Sequence, residues 1–229
     1  MMHRKPFLTT FGLLVAFSLS CAVEAAHAIS TSTFTHSADF LAALGGAPLV
    51  TETYESLPLN SLIAAGSTVG QFTYSSFPAG VQGRVDNIYN HIGAQSLAAD
   101  RPSNPSVNFF LPGENFSVTF AQPANAVGVF FNANPTPGSG DLFIATPVGL
   151  AGTGGPAGNR DFSTFFFAGL ISDTPFSSAV IGSFGAGQGS SFNIDNLSFS
   201  PTPEPTTLLL LGTTMAGLGL ARWKRHNKM

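Results

Sequence analysis

Few residues in this chain have the types and spacing that catalysis demands. Between Ile29 and Ser200 there are two histidines, His36 and His91, and no cysteine, the single Cys of the chain being Cys21. Serines are plentiful, but no Gly-x-Ser-x-Gly elbow accompanies them, so nucleophilic catalysis lacks both its turn and a paired base. Paired carboxylates are available in Glu52 and Glu55. On a strand, a spacing of three sends them to opposite faces, which does not assemble the facing pair of a glycosidase. No Cys/His cluster offers a transition-metal site. The run Gly149-Leu150-Ala151-Gly152-Thr153-Gly154-Gly155-Pro156 lacks the Lys-Ser/Thr of a phosphate loop and reads as a flexible loop. No catalytic residue is nominated.

Binding chemistry has more material. A glycan site needs aromatic platforms with polar neighbours. The only Trp is Trp223, near the C-terminus, which leaves Tyr54, Tyr74 and Tyr89. The most polar-aromatic stretch is Asp86-Asn87-Ile88-Tyr89-Asn90-His91, so Asp86, Asn87, Tyr89 and His91 are the candidate ligand-binding residues, set against the reading of a surface loop with a tyrosine lid. Charge narrows the ligand class. Arg84, Arg101 and Arg160 are the only basic residues between 29 and 200, against ten carboxylates, with no lysine. A nucleic-acid partner needs a basic footprint, and this acidic region excludes it.

The elements that must position these residues are strands. Val50–Glu55, Gly70–Tyr74, Ser106–Leu111, Phe116–Phe120, Ala126–Phe131, Asp141–Thr146, Thr164–Ala168, Ser178–Phe184 and Phe192–Phe199 are β-rich or alternate, and Gly, Pro, Ser and Asn punctuate them. Phe116, Val118 and Phe120 share one face and Ser117 and Thr119 the other. One helix is expected at Ser37–Leu44, with a Ser cap candidate and Gly45-Gly46 at its end. Residues 29–200, about 170 in all, suffice for one domain with a real core. The expected fold is all-β, an antiparallel sandwich with its phenylalanines on the two inner faces.

The two ends read differently. Arg4 and Lys5 precede an apolar stretch from Phe7 to Val23, and Ala26-His27-Ala28 supplies a small-x-small site, so residues 1–28 read as a signal peptide cut after Ala28 by signal peptidase. Ser18-Leu19-Ser20 before Cys21 puts Ser where a lipobox wants a branched aliphatic residue. The exported domain would then hold together without disulfides. At the other end Pro203-Glu204-Pro205 is followed by an uncharged run, Leu208 to Ala221, and then Arg222-Trp223-Lys224-Arg225. A helix over 206–221 would reach about 24 Å, short against a hydrocarbon core of about 30 Å. Snorkelling of Arg222, Lys224 and Arg225 would complete the span and hold that end cytoplasmic. An ordinary single-pass C-terminal anchor satisfies the same physics.

The three-part order of residues 201–229 resembles the PEP-CTERM sorting signal of Gram-negative bacteria. That resemblance implies that an exosortase recognises and removes the tail after transient residence in the inner membrane, leaving the body in the envelope, on the outer surface or in the matrix. The body is also similar to the jelly-roll domains of many PEP-CTERM proteins, themselves like carbohydrate-binding modules. The residues that carry this are Tyr54-Glu55-Ser56-Leu57-Pro58, Phe116–Gly128, Phe167–Phe176 and Phe192–Leu197. In such modules a structural calcium often joins an early acidic residue to one in the last strand, which implies Glu52 or Glu55 with Asp195 here. The combined expectation is an exported, non-enzymatic protein associated with extracellular polysaccharide or biofilm. The alternatives are a membrane-anchored periplasmic structural domain with no ligand, or a polysaccharide-acting hydrolase.

Overall fold

The computed structural model describes residues 28–88, 93–134, 136–155, 165–185 and 190–202. In chain order the elements are β1 (Thr31–Phe34), α1 (Ser37–Leu44), β2 (Val50–Glu52), β3 (Leu62–Ile63), β4 (Thr68–Val69), β5 (Phe72–Ser76), β6 (Gln82–Asp86), β7 (Ser96–Asp100), β8 (Asn115–Asn134), β9 (Leu142–Thr146), β10 (Gly149–Gly152), β11 (Phe165–Ser183) and β12 (Ser191–Pro201). All pairings are antiparallel.

Two long strands make both layers. The first half of β8 lies between β5 and the second half of β11, which continues to β9 and β10. The second half of β8 lies between the first half of β11 and β12. Beyond these, β1 flanks β11, while β2 and the β7–β6–β3 run flank β12. Each long strand therefore leaves one sheet and enters the other at a bend. On β11 the register shifts twice between Ile171 and Ser178, and the facing segment of β8 contains Pro123. Proline supplies no N–H to the ladder, so Pro123 and Pro175 favour the break there. Asn125 Nδ2 donates to Ser172 O at 2.9 Å, tying the two bends together, while Thr174 N donates to Ser172 Oγ at 3.0 Å within the β11 bend.

The space between the layers is filled with phenylalanine, as the sequence suggested. Phe120 of one layer stacks on Phe199 of the other with centroids 4.9 Å apart, and Phe72 meets the same ring edge-on at 5.3 Å. At the opposite end Phe110 stacks on Phe116 at 5.0 Å and on Phe192 at 5.2 Å. Such pairs contribute about 0.5–1.5 kcal/mol each beyond area burial. A second, smaller core lies outside the second layer, where α1 places Phe40 against Phe130, Phe167 and Ala126. The bare backbone of Gly169 lets Phe40 sit there, since a Cβ built on it would stand 2.8 Å from the Phe40 ring.

Several boundaries differ from expectation. The helix is where the sequence placed it, but its N-cap is His36, without a side-chain cap, and Gly45 closes it in the left-handed region. Ser106–Leu111 is not a strand; only Phe110 bridges, to Phe192, because Arg101 holds this stretch as a loop through the Val107 and Phe109 carbonyls. The strand at Val50 stops at Glu52, since Tyr54 takes a positive φ of 64°. The expected flexible loop at 149–156 opens as β10, pairing with β9. The pairs 116–120 with 126–131, and 165–168 with 178–184, prove to be halves of single strands. The expected signal peptide, apart from Ala28, and membrane helix lie outside the described residues. Among the described residues no helix is long and apolar enough to cross a membrane.

Candidate functional site

On the outer face of the second layer, β8 and β12 run in register with Asn132 opposite Asn193 and Asn134 opposite Ser191. Strand alternation sends these four side chains to one side while Phe131, Ala133, Phe192 and Ile194 enter the core. Phe109, from the loop held by Arg101, walls the open side. Together they line a cleft of about 60 Å³. Asn193 is 1% exposed, and with its amide nitrogen turned to the neighbouring carbonyls it donates to Phe192 O at 2.9 Å and Asn108 O at 3.3 Å. Asn132 is half-buried and Asn134 exposed, so their amides offer both donors and acceptors to solvent beside an aromatic wall.

The cleft is supported from the side by a charged lattice. Asn108 Nδ2 donates to Asp86 Oδ2 at 3.2 Å, Arg84 Nη2 reaches the same oxygen at 3.1 Å, and Ile88 N donates to Asp86 Oδ1 at 2.7 Å. Arg84 Nη1 is 3.5 Å from Asp100, which also accepts from Gln82 Nε2. Arg101 is paired with Glu114 and caps the Phe109 carbonyl at 2.6 Å. Both described arginines are thus committed to carboxylates. The nominated Asp86 is 3% exposed and anchors the start of its loop, while Asn87 is exposed; Tyr89 and His91 lie outside the described residues.

The three carboxylates nominated for calcium go to different tasks. Glu52, in register with Leu197 and 8% exposed, accepts from Tyr54 N through Oε1 at 2.7 Å. Glu55 is not on a strand with Glu52; its Oε1 takes the Ala94 and Gln95 amides at 2.6 and 2.8 Å, closing a turn nearly forty residues away. Asp195 is 1% exposed and accepts from Asn196 N at 2.7 Å. Glu52 and Asp195 both approach the Tyr54 phenol. Burial pushes that phenol well above the ordinary tyrosine value, and Tyr74 and the two carboxylates push it further. Among the described residues no three His, Cys, Asp or Glu groups gather closely enough to hold a metal ion. A calcium ion joining Glu52 or Glu55 to Asp195 would meet carboxylates that already accept backbone amides.

The sequence reading missed Asn132, Asn134, Ser191, Asn193 and Phe109. A signal existed: Asn132-Ala133-Asn134 puts amides at alternate positions directly after an apolar strand, the pattern of one polar face.

Residues 201–225 match the PEP-CTERM protein-sorting motif. The chain carries that sorting signal, which implies export, exosortase processing and sorting to the envelope or surface. No curated protein sequence matches the chain. Among solved structures it is similar to the CBM22-1 xylan-binding domain of Paenibacillus barcinonensis Xyn10C, at 11% identity over 69% of this chain and 97% of that domain, with a TM-score of 0.39. The CBM22-1-CBM22-2 tandem domain of the same protein matches at 11% identity over 70% of this chain and 48% of that one, TM-score 0.39. The catalytic domain of a GH87 α-1,3-glucanase matches at 16% identity, TM-score 0.37, over 70% of this chain and 29% of that domain. The sandwich assignment rests on the strand register above, not on these likenesses.

Proposed function

We propose that this is an exported surface or matrix protein whose body binds extracellular polysaccharide without acting on it, and whose tail is removed by an exosortase. The observation that carries the binding half is the amide-lined cleft. Asn132 and Asn134 present paired donors and acceptors next to Phe109, the combination that holds a sugar by its hydroxyls and by one apolar ring face. With Arg84 and Arg101 held by Asp86, Asp100 and Glu114, the described residues of the site offer no free cation to a uronate or a sulfate. The expected ligand is therefore a neutral glycan. The described lining of amides, a serine hydroxyl and an aromatic ring suits binding, and the non-enzymatic part of the proposal is taken with it.

Affinity electrophoresis of the purified protein through gels containing neutral or acidic polysaccharides tests this. Saturable retardation in a neutral gel, abolished by Asn132→Ala/Asn134→Ala, supports the reading. Equal mobility in every gel removes it and leaves a structural domain. Release of reducing ends from any of the polymers would establish a hydrolase instead.

A further inference from the structure

Both ends of the described chain leave the sandwich at the same pole. At the C-terminal end, Pro201 is in register with Ala124 and Thr202 N donates to Pro123 O at 2.8 Å. At the N-terminal end, Ser30 N donates to both Asp173 carboxylate oxygens at 3.1 Å, and Asp173 N returns a bond to Ser30 O at 3.2 Å. Pro123 and Asp173 belong to the two bends, which Asn125 ties together through Ser172 O. The opposite pole carries the free ends of the long strands, Asn115 and Asn134 on β8 and Ser183 on β11, and with them the amide cleft.

In sequence, the Pro203-Glu204-Pro205 motif directly follows Thr202, the last described residue, which is itself hydrogen-bonded to the β8 bend. From Thr202 to Thr206, where the expected membrane helix begins, four residues reach at most about 14 Å even fully extended. The headgroup zone on each side of the hydrocarbon core is itself about 5–8 Å deep. At the other terminus only Ile29 lies between Ser30 and the Ala28 cleavage position. We infer that the pole made by the β8 and β11 bends is the membrane-facing surface of the protein while its tail is uncut, seating the sandwich upright on the lipid headgroups with the amide cleft pointing away. This rests on the reading above that the tail resides in the inner membrane. The seat is imposed by the short tether rather than by attraction: Asp173 at this pole is a carboxylate, and a body with three arginines against ten carboxylates is not drawn to anionic lipid.

The test uses the full chain with Cys21→Ser, in vesicles of phosphatidylethanolamine and phosphatidylglycerol that carry a headgroup nitroxide. A fluorophore is placed on Gln122→Cys, exposed at the bend, or on Gly185→Cys, where an added Cβ meets nothing within 4 Å. The Gln122→Cys label is expected to be quenched several-fold more than the Gly185→Cys label. A flexible Gly/Ser insertion after Thr202 should remove that difference. Equal quenching at the two positions in vesicle-bound protein overturns the seating alone. Failure of the chain to float with the vesicles overturns the membrane-held tail, and the seating with it. Glycan retardation is measured separately and depends on neither outcome.

Discussion

Tyr54 and Tyr74 share a 2.8 Å hydrogen bond between their hydroxyls, and neither side chain reaches solvent. Tyr74 comes from β5 in the first layer, whereas Tyr54 follows β2 on the edge of the second, so this bond links the layers inside an otherwise aromatic core. A buried hydroxyl deprived of its partner costs about 1–3 kcal/mol, while replacing both partners by apolar groups is nearly neutral. Tyr54→Phe and Tyr74→Phe should each destabilise by about 1–3 kcal/mol, and the double variant by clearly less than their sum. Urea unfolding of the four proteins gives the coupling directly. Simple additivity would mean that the two hydroxyls do not depend on one another.

The same pair sets an alkaline limit. Burial is the leading cause that raises both phenols above the tyrosine value of about 10 that they regain when unfolded. Their contribution is fully present below about pH 10 and is lost as pH rises further, because the unfolded chain releases protons that the folded one keeps. With both phenols involved, stability should fall more steeply with pH above that point than one buried tyrosine alone would make it. Tyrosinate absorbance should then rise together with the loss of folded structure. In the Tyr54→Phe/Tyr74→Phe variant this dependence should largely vanish. Ionisation of the wild-type pair well before unfolding would refute their burial.

The outer core is packed without slack. A Cβ on Gly169 would stand 2.7 Å from the Phe167 ring and 2.8 Å from that of Phe40, and one on Gly128 would stand 2.8 Å from Phe167. Gly169→Ala should cost about 1–3 kcal/mol by overpacking, and Phe40→Ala about 3–5 kcal/mol by leaving a cavity. Thermal melts distinguish these from surface changes such as Leu41→Ala, on the exposed side of the same helix, for which a shift within about 0.5 kcal/mol is expected.

Much of the fold was legible because it is written in local periodicity. Phe116-Ser117-Val118-Thr119-Phe120 alternates, and its three apolar residues are all in the core. Strands such as β6 and β7 were not legible. Gln82-Gly83-Arg84-Val85-Asp86 carries three polar residues on its outer face, where they pair with one another and with β7 instead of meeting water, so composition alone reads as loop. The union of two short strands into β8 or β11 also escapes a local reading, because Pro123 and Pro175 signal a stop while the chain in fact turns a corner. The cleft was hidden for a related reason. Its residues come from three separate segments, and only the register of β8 on β12 brings Asn132 to Asn193.

The calcium expectation can be decided by melting. Glu52, Glu55 and Asp195 each already accept backbone amides, and Glu55 takes two of them in a distant turn. An ion would have to share or displace those amide contacts, and no three His, Cys, Asp or Glu groups are gathered among the described residues to hold it. Saturating calcium and excess chelator should therefore give the same melting temperature. A calcium-dependent rise would follow the linkage relation and would reveal ligands elsewhere in the chain. Glu55→Gln, which keeps an acceptor but removes the charge at the Ala94 and Gln95 amides, should destabilise by about 1 kcal/mol with or without calcium.

The cleft makes the last prediction, and it separates binding from folding. Asn132 and Asn134 stand on the outer face of β8, so shortening them to alanine leaves the Phe131 and Ala133 side of the strand untouched. Asn193 is different: it is buried, and its amide faces the Asn108 and Phe192 carbonyls. Asn132→Ala and Asn134→Ala should each weaken binding of a neutral glycan by about 0.5–1.5 kcal/mol, roughly two- to tenfold, with an unchanged melting temperature. Asn193→Ala should lower affinity and stability together. Phe109→Ala should reduce affinity while the Arg101–Glu114 pair keeps the loop in place, since that pair grips the Phe109 backbone and not its ring. If all four variants bind as the parent does, the glycan lies on another surface, and the polar-aromatic stretch that begins at Asp86 becomes the next place to look.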